Sequence, residues 1–276
     1  MNVTDSKQRN LDNAAERIAA AAERGADLVI LPEMFNCPYS NSFFSRFSEP
    51  EGGQSWNMLS DTAKRNSVYL VGGSIPELDG KSIYNTSFVF DRTGAQTARH
   101  RKMHLFDIDI KNGQKFRESD TFSAGSDVTV FDTEFCRMGL CICFDMRFPE
   151  LSRLMALKGA QIIIAPAAFN MTTGPVHWEL LFRQRAVDNQ LFTIGASPAR
   201  DETSGYVSYA NSIVCSPWGD VVYRCGTAEE TALVDIHIEY NNEIRAQLPL
   251  LSARRTDVYE VREKVMSCPY KRALFR

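Results

Sequence analysis

The sequence predicts an α/β fold in which mixed β-sheets lie buried between outer layers. Segments of helical and strand period alternate from Leu11 to Ile236. Several strand candidates, Asp27–Leu31 and Gln161–Ala165 among them, are largely apolar on both faces, which places them in covered sheets. Hairpin and β-α-β connections both occur, so the sheets are mixed. No Pro/Gly/Ser-rich linker and no internal repeat interrupts the series. One domain is expected over residues 1–276, with a polar, extended tail from about residue 249.

Leu11, Ala15, Ile18 and Ala22 recur at helical spacing, and Gly25 follows as a C-terminal cap. Asp27–Leu31 forms a strand stopped by Pro32, and Ser67–Val71 a second, ended by Gly72 and Gly73. Tyr84–Phe90 and Ala95–Lys102 flank Asp91-Arg-Thr-Gly94, a hairpin turn. Strands follow at Val128–Phe131 and Met138–Cys143, and Pro149 opens a helix that runs through Leu157. Gln161–Ala165 is a strand, His177–Asn189 a helix and Phe192–Ala196 a strand. Ser208–Cys215 pairs with Val221–Arg224 across a turn rich in breakers. Thr231–Ile236 is the last strand and Tyr240–Gln247 a short helix.

Hydrophobic residues make up 44% of the chain and charged residues 24%, with a net charge of −3. Scattered Lys and Arg without aromatic interleaving give no nucleic-acid surface. No apolar run reaches the ~18 residues of a membrane span, and the N-terminal residues carry no hydrophobic stretch of the secretory kind. Seven Cys without regular spacing do not form a disulfide framework, so a cytoplasmic setting is expected. His100 and His104 read as the end of a strand and not as a helix, and no Glu stands between them as in H-E-x-x-H, so no zinc site is expected.

Three strand ends carry chemistry-bearing side chains: Glu33 after Ile30-Leu-Pro, Lys102 after Arg99-His-Arg, and Cys143 between a strand and a helix. Ligand sites in α/β proteins gather where strands end. A helix head favours thiolate. A carboxylate can take the thiol proton, and an amine can stabilise a developing oxyanion. The set suits attack on a carbonyl or nitrile carbon. Each member alone is ordinary: strand-end Cys usually pack in cores, and Glu or Lys after strands are usually solvated.

The motifs themselves add more. Ala26-Asp-Leu-Val-Ile-Leu-Pro-Glu33, His100-Arg-Lys102-Met-His104-Leu-Phe and Gly139-Leu-Cys-Ile-Cys143-Phe-Asp-Met-Arg-Phe-Pro-Glu150 resemble, in order, three signature segments of the nitrilase (carbon-nitrogen hydrolase) superfamily. The resemblance extends from about Leu11 to about Tyr259. It implies a four-layer α-β-β-α sandwich, a homodimer, no metal or organic cofactor, and a catalytic set of Glu33, Lys102 and Cys143. It also assigns Glu118, in Phe116-Arg-Glu-Ser-Asp-Thr-Phe122, as a second carboxylate, whose plain alternative is a surface loop residue. Family members normally begin with a strand before the first helix. Here Met1-Asn-Val-Thr leads almost directly into it, so that strand is expected to be missing, with its neighbours' backbone groups uncovered.

Within the superfamily, Leu31-Pro-Glu-Met-Phe-Asn-Cys-Pro-Tyr39, His104-Leu-Phe-Asp-Ile-Asp109, Ala168-Phe-Asn-Met-Thr-Thr-Gly-Pro175 and Arg185-Ala-Val-Asp-Asn-Gln190 resemble the omega-amidase branch. The resemblance implies release of ammonia from 2-oxoglutaramate and 2-oxosuccinamate through a cysteinyl thioester. Lys102 and the Phe144 N–H are the expected oxyanion donors. Arg147 is the expected partner of the substrate carboxylate, against an ordinary ion pair with Asp145 or Glu150. Tyr39, Phe169 and Thr173 are further candidates for lining the pocket, whereas His177 and Trp178 read as core. Competing expectations are an amidase for deaminated glutathione, an N-carbamoyl-amide hydrolase, a true nitrilase, a Cys/His hydrolase, and a non-catalytic protein on the same fold.

Overall fold

The computed structural model describes residues 1–111 and 113–264. Helix α1 (Lys7–Glu23) starts where the Ser6 side chain accepts from the Arg9 N–H, and buries Leu11, Ala14, Ile18 and Ala21 at helical spacing. Gly25, at φ 90°, turns the chain out of it. Then come β1 (Leu28–Ile30), α2 (Asn41–Phe47), α3 (Gln54–Asn66), β2 (Tyr69–Val71), β3 (Ile75–Asp79), β4 (Ser82–Phe90) and β5 (Gln96–Arg101). A small hairpin, β6 (Asp107–Asp109) and β7 (Lys115–Arg117), precedes β8 (Thr129–Asp132) and β9 (Arg137–Leu140). A 3₁₀ turn (Cys143–Arg147) leads into α4 (Pro149–Leu157), β10 (Ile162–Pro166), α5 (Gly174–Asn189), β11 (Phe192–Ala196), β12 (Ile213–Cys215), β13 (Val221–Arg224) and α6 (Glu239–Gln247).

Two mixed sheets stack between helices. The first runs β1-β2-β4-β3 with β5 on the other edge of β4, and the second runs β13-β12-β11-β10-β9-β8. The two-residue alternation of strands divides the side chains among the layers. In the first sheet Leu70, Phe88 and Phe90 meet Leu11, Ile18 and Leu59 of α1 and α3. Val71 and Val89 point the other way, onto Met138, Leu140, Ile162 and Ile164 of the second sheet. Beneath that sheet Ile163 and Ala165 pack on Met155, Trp178 and Phe182 of α4 and α5. Gly195 admits this packing, because a Cβ there would lie 2.5 Å from the Phe182 ring. The α-β-β-α sandwich is the expected one.

Several local expectations are corrected. The strand expected to reach Cys143 stops at Leu140, and Cys143 stands at φ 48° at the head of the 3₁₀ turn. Ser67, at φ 54°, caps α3 and does not begin β2. Ser208–Cys215 is strand only from Ile213. Helices α2 and α3, strand β3 and the β6–β7 hairpin occupy segments to which the sequence assigned no element. Beyond residue 249 the chain forms turns and irregular backbone as far as residue 264, and the rest of the expected tail lies outside the described residues.

Thr231–Ile236 is also not a strand. Its residues keep a strand-like alternation, with Val234, Ile236 and Ile238 more covered than Leu233, Asp235 and His237, but no ladder partner stands beside them. The reason is a cavity of about 520 Å³ that runs between this segment and β1, bounded also by Met1, Ile162 and Ile194. β1 is a terminal strand of its sheet, so its outer edge faces this groove. Among the described residues β1 and this segment thus face each other across the groove without a strand between them.

Candidate active site

The charged side chains converge between the sheets. β1 ends at Ile30, Leu31 still bonds β2 through the Val71 carbonyl, and Pro32 ends the ladder, so Glu33 is delivered to the sheet's end fully buried. β5 delivers Lys102, whose backbone is pinned on both sides: its N–H donates to the Asn85 carbonyl at 2.8 Å and its carbonyl accepts from the Gly125 N–H at 2.9 Å. The Lys102 ammonium lies 3.0 Å from Glu33 and 2.9 Å from Glu118, with all three side chains out of solvent. Glu118 sits at the start of a short 3₁₀ turn after β7 and also accepts from the Tyr39 hydroxyl at 2.6 Å and the Phe106 N–H at 2.7 Å. Glu33 accepts from the Asn85 amide at 2.9 Å and the Ala168 N–H at 2.8 Å.

Cys143 adjoins Glu33, which acts on the thiol through charge and a hydrogen bond. Burial and then the Glu33 carboxylate push the thiol well above its ordinary range, the lysine and the Ala168 N–H opposing them. Burial and the neighbouring carboxylate therefore work against the thiolate that a helix head would favour, and Glu33 stands beside the thiol as a proton acceptor. Burial, offset in part by Lys102 and reinforced by Glu118, raises Glu33. Burial disfavours the charge on Lys102, but Glu118 and Glu33 outweigh it and keep the ammonium charged. The cluster therefore brings together a thiol, a carboxylate of raised proton affinity and a fixed cation. Phe144 follows the nucleophile, its N–H lying in the first turn ahead of the Asp145 N–H that closes onto the Ile142 carbonyl.

Arg147 follows one turn further on. Its guanidinium lies 4.7 Å from the Phe169 ring centroid and 5.6 Å from that of Phe144, with one nitrogen 3.1 Å from His177 Nδ1. Neither Asp145 nor Glu150 pairs with it, and no carboxylate among the described residues lies within 4.0 Å. Burial lowers its pKa, and Cys143 and Tyr206 are the nearest groups acting in the opposite direction.

The structure treats the remaining candidates differently. Phe169 is buried under Arg147, edge-on to Trp178. Tyr39 is buried in the charged cluster with its hydroxyl committed to Glu118, and stacks on Tyr206 at 4.4 Å. Thr173 is not brought to the cluster; its hydroxyl donates to the Asn170 side chain at 3.0 Å in the turn before α5. Trp178 is core, as expected, while His177 is half-buried on Arg147.

Sequence reasoning missed Asn85, Tyr206 and Asp145. Asn85 had a signal, since Asn85-Thr-Ser87 interrupts an otherwise apolar strand and is wholly buried. Tyr206 comes from a long loop; its hydroxyl donates to the Ala168 carbonyl at 2.5 Å, and with Glu33 and Tyr39 it lines a cavity of about 50 Å³. His100 and His104 converge on Asp145 from either side of Lys102. Among the described residues no three His, Cys, Asp or Glu side chains group as a metal site.

A family model for carbon-nitrogen hydrolases matches residues 1–246. The chain is 48% identical over 261 residues to the omega-amidase NIT2 of Danio rerio, covering 95% of this chain and 94% of that protein. It is 46% identical to the omega-amidase NIT2 of Homo sapiens over 264 residues, with 96% of each covered. The crystal structure of Saccharomyces cerevisiae Nit3, a member of branch 10 of the nitrilase superfamily, superposes with a TM-score of 0.82 at 42% identity, covering 92% of this chain and 93% of that one.

Proposed function

This chain belongs to the carbon-nitrogen hydrolase family, and from that premise we propose that it is an omega-amidase, hydrolysing the terminal amide of short 2-oxo dicarboxylate mono-amides such as 2-oxoglutaramate and 2-oxosuccinamate. Relatives named as omega-amidases at 46–48% identity support the substrate class. The observation that carries it in this molecule is Arg147, a cation without a carboxylate partner among the described residues, held on Phe169 and Phe144 one turn from Cys143.

In the first half-reaction Glu33 takes the Cys143 proton as the sulfur attacks the amide carbon. Lys102 and the Phe144 N–H bind the resulting oxyanion. Glu33 returns the proton to the nitrogen, the C–N bond breaks, and ammonia leaves a thioester on Cys143. Water then attacks this carbonyl with Glu33 again as base, the C–S bond breaks, and the carboxylic acid and thiol are released. The raised proton affinity of Glu33 supports both of its roles. Glu118, with Tyr39 and the Phe106 N–H on it, holds Lys102 in place and charged. Phe169 floors the substrate site, and Tyr39 and Tyr206 close it beside Glu33.

Steady-state kinetics of Arg147→Ala tests the substrate. A charged bidentate contact contributes about 1.5–3 kcal/mol, so KM for 2-oxoglutaramate rises about tenfold or more while neutral short amides change little. Equal losses on both would remove the assignment. Turnover of deaminated glutathione in preference to 2-oxoglutaramate by the unaltered protein would redirect it to the sibling activity.

The proposal extends to a cytoplasmic homodimer. Val176 and Leu180, 63% and 60% exposed one turn apart on α5, and Trp218 at 53% supply an apolar face. Sedimentation of the unaltered protein and of Leu180→Asp tests it, with dimer expected for the first and a shift toward monomer for the second. No described helix is long and apolar enough to cross a membrane.

A further inference from the structure

Asp145 stands two residues after the nucleophile and is completely buried, yet among the described residues its carboxylate makes no hydrogen bond or ion pair with Cys143, Lys102 or the Arg147 side chain. Its two oxygens are filled from opposite directions. Oδ2 accepts from the Ile142 N–H at 3.0 Å, immediately before Cys143, and from His100 Nε2 at 3.0 Å. Oδ1 accepts from the His104 N–H at 2.9 Å and from His104 Nδ1 at 2.8 Å. The Asp145 N–H in turn donates to the Ile142 carbonyl at 3.0 Å, which closes a ring of backbone around Cys143. His100 and His104 bracket Lys102 by two residues on each side.

We propose that Asp145 is a positioning residue that fixes the Cys143 sulfur relative to the Lys102 ammonium, by tying the nucleophile's turn to both sides of the lysine segment. The proposal rests on the cysteine–lysine mechanism given above. Three physical arguments carry it. Cys143 occupies a left-handed backbone conformation, at φ 48°, which a non-glycine residue keeps only when its surroundings impose it. The Ile142–Asp145 bonds impose it from both ends. A carboxylate has about four acceptor sites, and here each is met by a donor, so only the ionised acid satisfies the set. No ladder joins β5 to the nucleophile's turn, so these side-chain bonds tie that turn directly to the lysine segment.

The histidines are donors in this arrangement and not bases. His100 is buried, with its other ring nitrogen 2.9 Å from Thr129 Oγ1. His104 is partly exposed and stacks flat on Phe148 at 3.6 Å between centroids. Replacing Asp145 by Asn places an NH₂ against one pair of donors whichever way the amide turns. Misplacement of a reacting group by about 1 Å costs on the order of 10² in rate.

The test is steady-state kinetics on 2-oxoglutaramate of Asp145→Asn, His104→Ala, His104→Asn and Cys143→Ala, each checked for folding by circular dichroism and thermal melting. An Asn side chain carries an N–H where His104 Nδ1 now stands. The proposal expects kcat to fall about 10²-fold in Asp145→Asn with KM within about threefold, to fall about tenfold in His104→Ala, and to recover in His104→Asn. Should Asp145→Asn fail to fold, the His104 pair decides. A kcat within twofold of normal in folded Asp145→Asn, or equal losses in the two His104 variants, overturns the proposal. Turnover surviving in Cys143→Ala overturns the underlying mechanism instead.

Discussion

In the proposed mechanism Glu33 acts in more steps than any other side chain, and its properties come from what surrounds it. Full burial raises its proton affinity, the Lys102 ammonium at 3.0 Å opposes that rise and Glu118 adds to it; the Asn85 amide donates to the carboxylate at 2.9 Å. The acid limb of kcat/KM accordingly lies above the ordinary glutamate range of about 4.3. Asn85→Ala removes a donor that favours the ionised carboxylate, so the limb moves to higher pH, by about one unit for a hydrogen bond of ~1.5 kcal/mol to a charged group. A pH–rate profile measures this, and a limb unmoved or displaced to lower pH would contradict it. The acid, the amine and the thiol were each legible in the sequence as residues placed where an apolar run ends. Asp145 was not, because its meaning depends on a partner 45 residues away in the chain, and Asn85 showed only as a polar break in an apolar strand, its partner lying 52 residues away.

Elements bring these groups together through a few tight approaches of backbone. Gly125 donates to the Lys102 carbonyl, and a Cβ there would stand 2.1 Å from the Arg101 carbonyl oxygen. Gly125→Ala must push the end of β5 away, so a loss of about 1–3 kcal/mol in stability and a fall in kcat are expected together. Denaturant titration and kinetics on one preparation check it. A second contrast concerns the groove. Ile163 is wholly enclosed on the helix side of the second sheet, whereas Ile236 is only partly covered beside the cavity of about 520 Å³. Ile163→Ala should cost about 2–5 kcal/mol and Ile236→Ala distinctly less; equal costs would show the groove to be closed in solution. Strong apolar runs made most central strands readable to within a few residues. The strand expected at Thr231–Ile236 carried the right alternation, but a strand exists only with a neighbour, and neighbours are not written in a local pattern. Helix α3 escaped notice because its apolar residues, Trp56, Met58, Leu59 and Ala63, stand among Ser, Asn, Asp, Thr and Lys and give no long run.

For the molecule as a whole, the layer order places two sheets face to face and lets a charged cluster survive between them only because every member is bonded. The pH dependence of stability follows from the same cluster. Burial raises the proton affinity of Asp145, but the bonds from His100 and His104, with that from Ile142, outweigh it and hold this carboxyl well below the usual range. A depressed folded-state value contributes stability that is present above the unfolded value of about 3.9 and is lost as pH falls from there toward the folded value. Asp145→Asn therefore lowers stability at neutral pH and flattens its fall below about pH 4, which denaturant midpoints at several pH values would register. A parallel displacement of the whole curve would contradict the assignment. The sandwich and its order of elements were readable from alternation and motif resemblance, while the groove beside β1 became visible only with both of its walls in place.

The central claim is that Glu33, Lys102 and Cys143 act as one unit that forms a thioester. Acid quenching of the protein during turnover of 2-oxoglutaramate, followed by mass spectrometry of the peptide containing residue 143, tests it most directly. An acyl increment on Cys143, present in Cys141→Ala and absent in Cys143→Ala together with all turnover, is the predicted result. Undiminished ammonia release by Cys143→Ala would contradict it.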